Sequence, residues 1–203
     1  MIRPLIVLDL DDTLLQNRAM IRGIWQVVAQ NFAEKQIDPR VAYDNMQDFY
    51  SQTALGMKAY DFDAHLEFYG VEVAAAYRAV KVSALADGRF EVAGVADFLA
   101  NLQHFADVLV LTYGFDGYQR LKASLCPSLM DVDIITTLGA KSDVLRTLSD
   151  VCCVVDDRPI ADLPDCVQFV MVSLVGKPVD PEAPQPVFTS LKNVGEFLYE
   201  QLH

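Results

Sequence analysis

The chain lacks any apolar run near the ~20 residues that a membrane-spanning helix needs, so a membrane anchor is not expected. The apolar run at the N-terminus is too short for a signal peptide. It leads straight into acids with no small-residue cleavage site, so the cytoplasm is the expected compartment. Bases are scarce, 16 Lys and Arg against 28 Asp and Glu, for a formal net charge of −12. Such a surface repels nucleic acid and anionic lipid, so neither is expected as a partner. An anionic substrate would need a local positive site. Cysteine is limited to four residues, Cys126, Cys152, Cys153 and Cys166. Cys152 and Cys153 are adjacent in an expected strand, point to opposite faces and cannot chelate one metal together. All four read as reduced, mostly buried thiols. There is no internal repeat and no low-complexity tract.

What is present is a chain able to bury a core. Hydrophobic residues make up 52% and charged residues 22% of 203 positions. That suits one domain, or one domain with a small insert. Near-continuous apolar runs of strand length occur at Leu5–Leu10, Val108–Thr112, Val132–Thr136, Val151–Val155 and Phe169–Leu174. Runs of this kind fit parallel strands covered on both faces. Helical spacing lies between them. Val95, Phe98, Leu99 and Leu102 form one stripe, and Tyr118, Leu121 and Leu125 another. Ser142 is the expected cap of a helix carrying Val144, Leu145 and Leu148. Thr189 or Ser190 is expected to cap the last helix, with Leu191, Val194, Leu198 and Leu202. The alternation predicts a doubly wound (Rossmann-like) parallel α/β sheet.

From about Gln16 to Phe90 the pattern is helical only. Ile21, Ile24, Trp25, Val28 and Phe32 form a stripe. Asp38-Pro39 opens a second helix, Gly70 stops a third that covers Asp63–Tyr69, and Glu72–Ser83 is a fourth. The expected organisation is an α/β core from residues 1–15 and 91–203 with an all-helical cap from 16–90. The stretch Gly176–Phe188, with four prolines, reads as an irregular loop.

The chemistry is concentrated where strands should stop. Asp9, Asp11 and Thr13 follow the first apolar run, Thr112 and Gly114 end the second, and Asp156-Asp157 ends the fourth. Lys141 stands just before the helix leading to that fourth strand. Ligands of open α/β sheets bind beyond the carboxyl ends of the strands. Four or five carboxylates meeting there cannot all ionise without a cation. A hard divalent ion with oxygen ligands, Mg²⁺ above all, resolves the repulsion. Singly, each residue has an ordinary reading: Asp11 or Asp12 as a turn or cap acid, Thr112 as a strand residue, Lys141 as a solvated charge, Asp156-Asp157 as a turn cap. Their order along one chain favours the joint reading, a site for a phosphoryl group.

The segments "DLDDT" (Asp9–Thr13), "VLVLTYG" (Val108–Gly114), "GAKSDVL" with Lys141 and "VVDDRP" (Val154–Pro159) resemble, in this order, the four motifs of the haloacid dehalogenase superfamily. The helical insert matches that family's cap between motifs one and two. In the fourth motif Asp156 stands where many members have glycine, and Asp162 is the downstream acid. The resemblance implies that Asp9 is a nucleophile forming an aspartyl-phosphate. It implies that Asp11 protonates the leaving oxygen and then deprotonates water, a protonated Asp11 fitting a site crowded with carboxylates. Thr112 and Lys141 would hold the phosphoryl group. Mg²⁺ would take an oxygen of Asp9, the backbone carbonyl of Asp11 and the Asp156-Asp157 pair, Asp157 directly and Asp156 through water. Thr13 would support the loop.

The expected activity is Mg²⁺-dependent hydrolysis of a small phosphorylated metabolite. A phosphomutase would keep the same residues. Asp11 argues against the dehalogenase branch. A phospho-receiver or binding protein is the rival from another class, although in receivers the acid pair precedes the phosphorylated Asp. Arg22, Lys58 and Arg78 are candidates for substrate selection, while His65 and His104 read as structural.

Overall fold

A computed structural model of the chain describes residues 3–53, 56–174 and 185–202. The first strand, β1 (Leu5–Leu8), leads through the acidic loop into α1 (Asn17–Asn31) and α2 (Pro39–Asp44). Then come β2 (Tyr50–Gln52), β3 (Lys58–Tyr60), α3 (Phe62–Phe68) and α4 (Val73–Lys81). After α5 (Val95–Gln103) the chain alternates: β4 (Asp107–Tyr113), α6 (Asp116–Ala123), β5 (Asp133–Thr137), α7 (Lys141–Leu145) and β6 (Val151–Asp156). It closes with β7 (Gln168–Val172), β8 (Val187–Phe188) and α8 (Leu191–Leu202).

Six strands form one parallel sheet in the order β5-β4-β1-β6-β7-β8. The chain lays strands to one side of β1, then returns to build the other side from β6. The crevice of such a sheet opens where the order reverses, between β1 and β6. Successive residues serve opposite faces. Ile6, Leu8, Val110, Cys153 and Val155 pack with Phe98 and Leu102 of α5 and Val194 and Leu198 of α8. Val7, Leu109, Leu111 and Val154 pack with Leu145 of α7. This two-sided burial is why the strands are apolar throughout.

In the insert, the buried stripe of α1 includes Ile21, Ile24, Trp25 and Val28. Asp38 caps α2, its Oδ1 accepting from the amide of Arg40 at 2.8 Å, and Pro39 fills the first helical position. Glu72 caps α4 through the amides of Ala74 and Ala75 at 2.9 and 2.6 Å. The two chain crossings between insert and core pair with each other. Gln16 N donates to Phe90 O at 2.7 Å and Val92 N to Leu14 O at 2.9 Å, and Leu15 faces Glu91 antiparallel.

Three expectations need correction. The insert is not all-helical, since β2 and β3 form an antiparallel hairpin with Tyr50 opposite Tyr60. Each strand has three residues and β2 is polar, so neither makes an apolar run. The supposed irregular loop ends in β8, which pairs with β7, while residues 175–184 lie outside the described residues. Ser142 does not cap α7; it is buried in the first turn, and Ala140 holds the cap position. Ser190 does serve α8, its hydroxyl accepting from Asn193 N at 3.3 Å. All four cysteines are free, although Cys166 is exposed. Among the described residues no helix is long and apolar enough to cross a membrane.

Candidate active site

Register brings the acids together. Leu8 pairs with Val155, so Asp9 and Asp156, the next residue on each strand, stand side by side at the crevice. Asp9 N donates to Val155 O at 2.9 Å, which ties the residue to the sheet edge. The ammonium of Lys141, at the first position of α7, lies 2.5 Å from Asp9 Oδ1 and 2.6 Å from Asp156 Oδ2. Asp156 Oδ1 accepts from the amide of Arg158 at 2.9 Å, so both its oxygens are engaged by protein donors. Asp9, Asp156 and Asp157 each offer an oxygen within 4.8 Å of the others.

Burial pushes the Asp9 carboxyl up to about 7, with Lys141 opposing and Asp156 and Asp11 adding to the rise. Burial also raises Asp156 against the pull of Lys141. For Lys141, burial disfavours the cation, but the carboxylates of Asp9 and Asp156 outweigh it and hold the ammonium protonated. Lys141 serves Asp9 and Asp156, while the mostly exposed Arg158 faces Asp157 at 3.6 Å, so the three carboxylates still outnumber the cations beside them. The donors of the site are hard oxygens in a compact group, a set that fits Mg²⁺.

The remaining expected residues arrive by separate routes. Thr112, near the end of β4, is buried and its hydroxyl donates to Gln119 Oε1 at 3.3 Å. Gln119 Nε2 in turn donates to Tyr113 O at 2.9 Å, which fixes the turn after β4. Gly114 there has φ +144, and a Cβ on it would lie 2.3 Å from Gln119 Nε2. Thr13 is buried, and its hydroxyl has no partner among the described residues. The Asp11 side chain lies outside the metal-suited trio. Its carboxylate is near enough to Asp9 to add to that group's rise, and it is paired with Lys122 of α6. The Lys122 ammonium is 2.5 Å from both Asp11 oxygens.

Asp9, Asp11, Thr112, Lys122, Lys141 and Asp156 line a cavity of about 460 Å³ together with Ile21, Met46, Tyr50, Met57, Tyr60 and Tyr118, and Thr13 does not. Of the candidate selectors, Lys58 lines this cavity. Arg22 instead sits over the Tyr43 ring at 4.6 Å and Arg78 faces Glu72 at 3.8 Å. His65 is buried and its Nδ1 shares a hydrogen bond of 2.8 Å with the Tyr60 hydroxyl.

Lys122 and Gln119 are the site residues that motif reading missed. For Lys122 a signal existed. It falls on the helical stripe of Tyr118, Leu121 and Leu125, and a lysine on a buried stripe requires a buried partner.

No family model and no curated protein matches the sequence. Solved structures do match along nearly its whole length. A haloacid dehalogenase-like hydrolase of Burkholderia xenovorans superposes with a TM-score of 0.66 at 16% identity, covering 99% of both chains. The fold is that of the haloacid dehalogenase-like hydrolases. An L-2-haloacid dehalogenase gives 0.67 at 12% identity over 98% of this chain and 99% of that one. A phosphatase of Thermococcus onnurineus gives 0.62 at 14% over 96% and 97%.

Proposed function

We propose that the chain is a Mg²⁺-dependent phosphatase of a small phosphorylated metabolite. The observation that carries this reading is the convergence of Asp9, Asp156 and Asp157 at the strand ends, with the Lys141 ammonium on the first two. Asp9, the backbone carbonyl of Asp11 and Asp157 would hold the ion, with Asp156 behind them, since both its oxygens already serve Lys141 and Arg158. Bound there, Mg²⁺ supplies the positive charge that lets an anionic carboxylate approach an anionic phosphoryl group.

Asp9 attacks phosphorus, the ester oxygen leaves with the proton that Asp11 holds from the preceding turnover, and an aspartyl-phosphate results. Water then attacks phosphorus, gives up a proton to Asp11, and releases inorganic phosphate with Asp9 restored. Splitting hydrolysis in two lets one site serve both displacements. Lys141 and the Thr112 hydroxyl hold the phosphoryl oxygens, and the insert closes over the cavity as a cap. The rings and thioethers of Tyr50, Met46 and Met57 would exclude water from the organic part of the substrate.

A second reading, carboxylate attack on a 2-haloacid, draws on the Lys122–Asp11 ion pair, because a halide leaves without taking a proton. One experiment separates the two. The purified protein is given an aryl phosphate or a 2-chloro acid, each with Mg²⁺ or EDTA. Phosphate release that needs Mg²⁺ and vanishes in Asp9→Asn supports the phosphatase. Halide release indifferent to EDTA overturns it.

A further inference from the structure

On α6, Lys122 is only 1% exposed, yet it occupies a helix position where leucine would pack without cost. Its ammonium donates to both oxygens of Asp11 at 2.5 Å and lies 3.4 Å from the Asn17 side-chain oxygen. The Tyr118 ring lies beneath it at 5.1 Å. Burying an ammonium is expensive unless it is paired. A pair spanning 111 residues of chain is therefore a specific demand of the fold. Asp11 itself stands on the loop after β1, with a quarter of its side chain exposed to the cavity. Among the described residues, no side chain or backbone amide other than Lys122 donates to its carboxylate.

We infer that Lys122 is a positioning residue that aims Asp11 at the water of the second displacement. The inference rests on the phosphatase reading given above. A carboxylate has about four lone-pair positions. Lys122 takes one on each oxygen, which fixes the plane of the group and leaves the others facing the cavity to accept a proton from water. Without Lys122 the carboxylate rotates freely on its loop, and a misplacement of ~1 Å costs about 10²-fold in rate. The first displacement, with a leaving group that departs unaided, does not depend on that aim.

The test compares wild type, Lys122→Met, Asp11→Asn and the double variant by rapid quench with p-nitrophenyl phosphate and Mg²⁺. Lys122→Met should release a burst of nitrophenolate equal to the enzyme, then turn over about 10²-fold more slowly with Asp9 phosphorylated. The double variant should be no slower than Asp11→Asn, because Lys122 acts through Asp11. It leaves no unpaired charge, so its comparison with Asp11→Asn decides the matter even if Lys122→Met is unstable. Multiplying losses, equal slowing of burst and steady phases, or wild-type turnover in Lys122→Met would overturn the inference alone. A wild type that never labels Asp9 would overturn the phosphatase reading, and the inference with it.

Discussion

The hydroxyl of Tyr113, at the end of β4, donates to the Thr53 hydroxyl of the insert at 3.1 Å. Thr53 passes the contact on to Met57 O, also at 3.1 Å, and Met57 lines the cavity. A hydrogen bond of this kind is worth ~0.5–1.5 kcal/mol net. Tyr113→Phe removes it and keeps the ring. The expected result is a KM raised about two- to tenfold with kcat little changed, read by steady-state kinetics.

On the proposed reading, Asp9 makes Mg²⁺ binding depend on pH. Its carboxyl is raised to about 7, above the unfolded value of 3.8. Between those values the folded state holds a proton that the unfolded chain has lost. The contribution of Asp9 to stability is therefore lost as pH rises from about 4 to about 7, and a divalent ion returns it. Mg²⁺ should raise the Tm more at pH 8 than at pH 6, where it must displace the proton first. Differential scanning fluorimetry reads this directly. Asp157→Ala should abolish the shift more completely than Asp156→Ala.

His65 sets an acid limit on the insert. It is stacked 3.7 Å from the Phe49 ring and 4.5 Å from Trp25, and burial lowers its pKa from 6.5 to about 4. The unfolded chain takes up a proton below 6.5 that the folded state refuses until about 4. The contribution of His65 is therefore full above pH 6.5 and falls as pH drops, by roughly 3 kcal/mol at pH 4. Urea unfolding of wild type and His65→Gln across this range should show the gap between them closing as pH falls.

Gly114→Ala should damage both stability and activity. The new methyl would drive Gln119 from its place, at a φ of +144 that side chains rarely adopt. A loss of about 1–3 kcal/mol is expected, visible as a lower urea midpoint. Phosphate release should fall with it, because Thr112 loses the Gln119 oxygen that orients its hydroxyl.

The sheet was legible in the sequence because its parallel strands are buried on both faces. Leu5–Leu8 and Val151–Asp156 need no partner pattern to be recognised. Asp9, Thr112 and Asp156 stood out in the sequence because polar residues at the ends of apolar runs have few other reasons to be there, and Lys141 because it stands before the helix that leads to the fourth strand. The hairpin was not legible. Tyr50, Ser51 and Gln52 are held by pairing with β3 across a tertiary surface, not by their own alternation. Lys122 was missed because motif reading works along the chain, whereas its meaning comes from a partner 111 residues away.

The pairing of Leu15 with Glu91 has a mechanical consequence. Two separate tethers would let the insert slide, swing and twist against the core. Bonded side by side at Gln16–Phe90 and Leu14–Val92, they make a single ribbon. A two-stranded ribbon bends across its flat face far more readily than it stretches or shears in its plane. The two crossings therefore resist sliding and shearing of the insert against the core more than they resist bending.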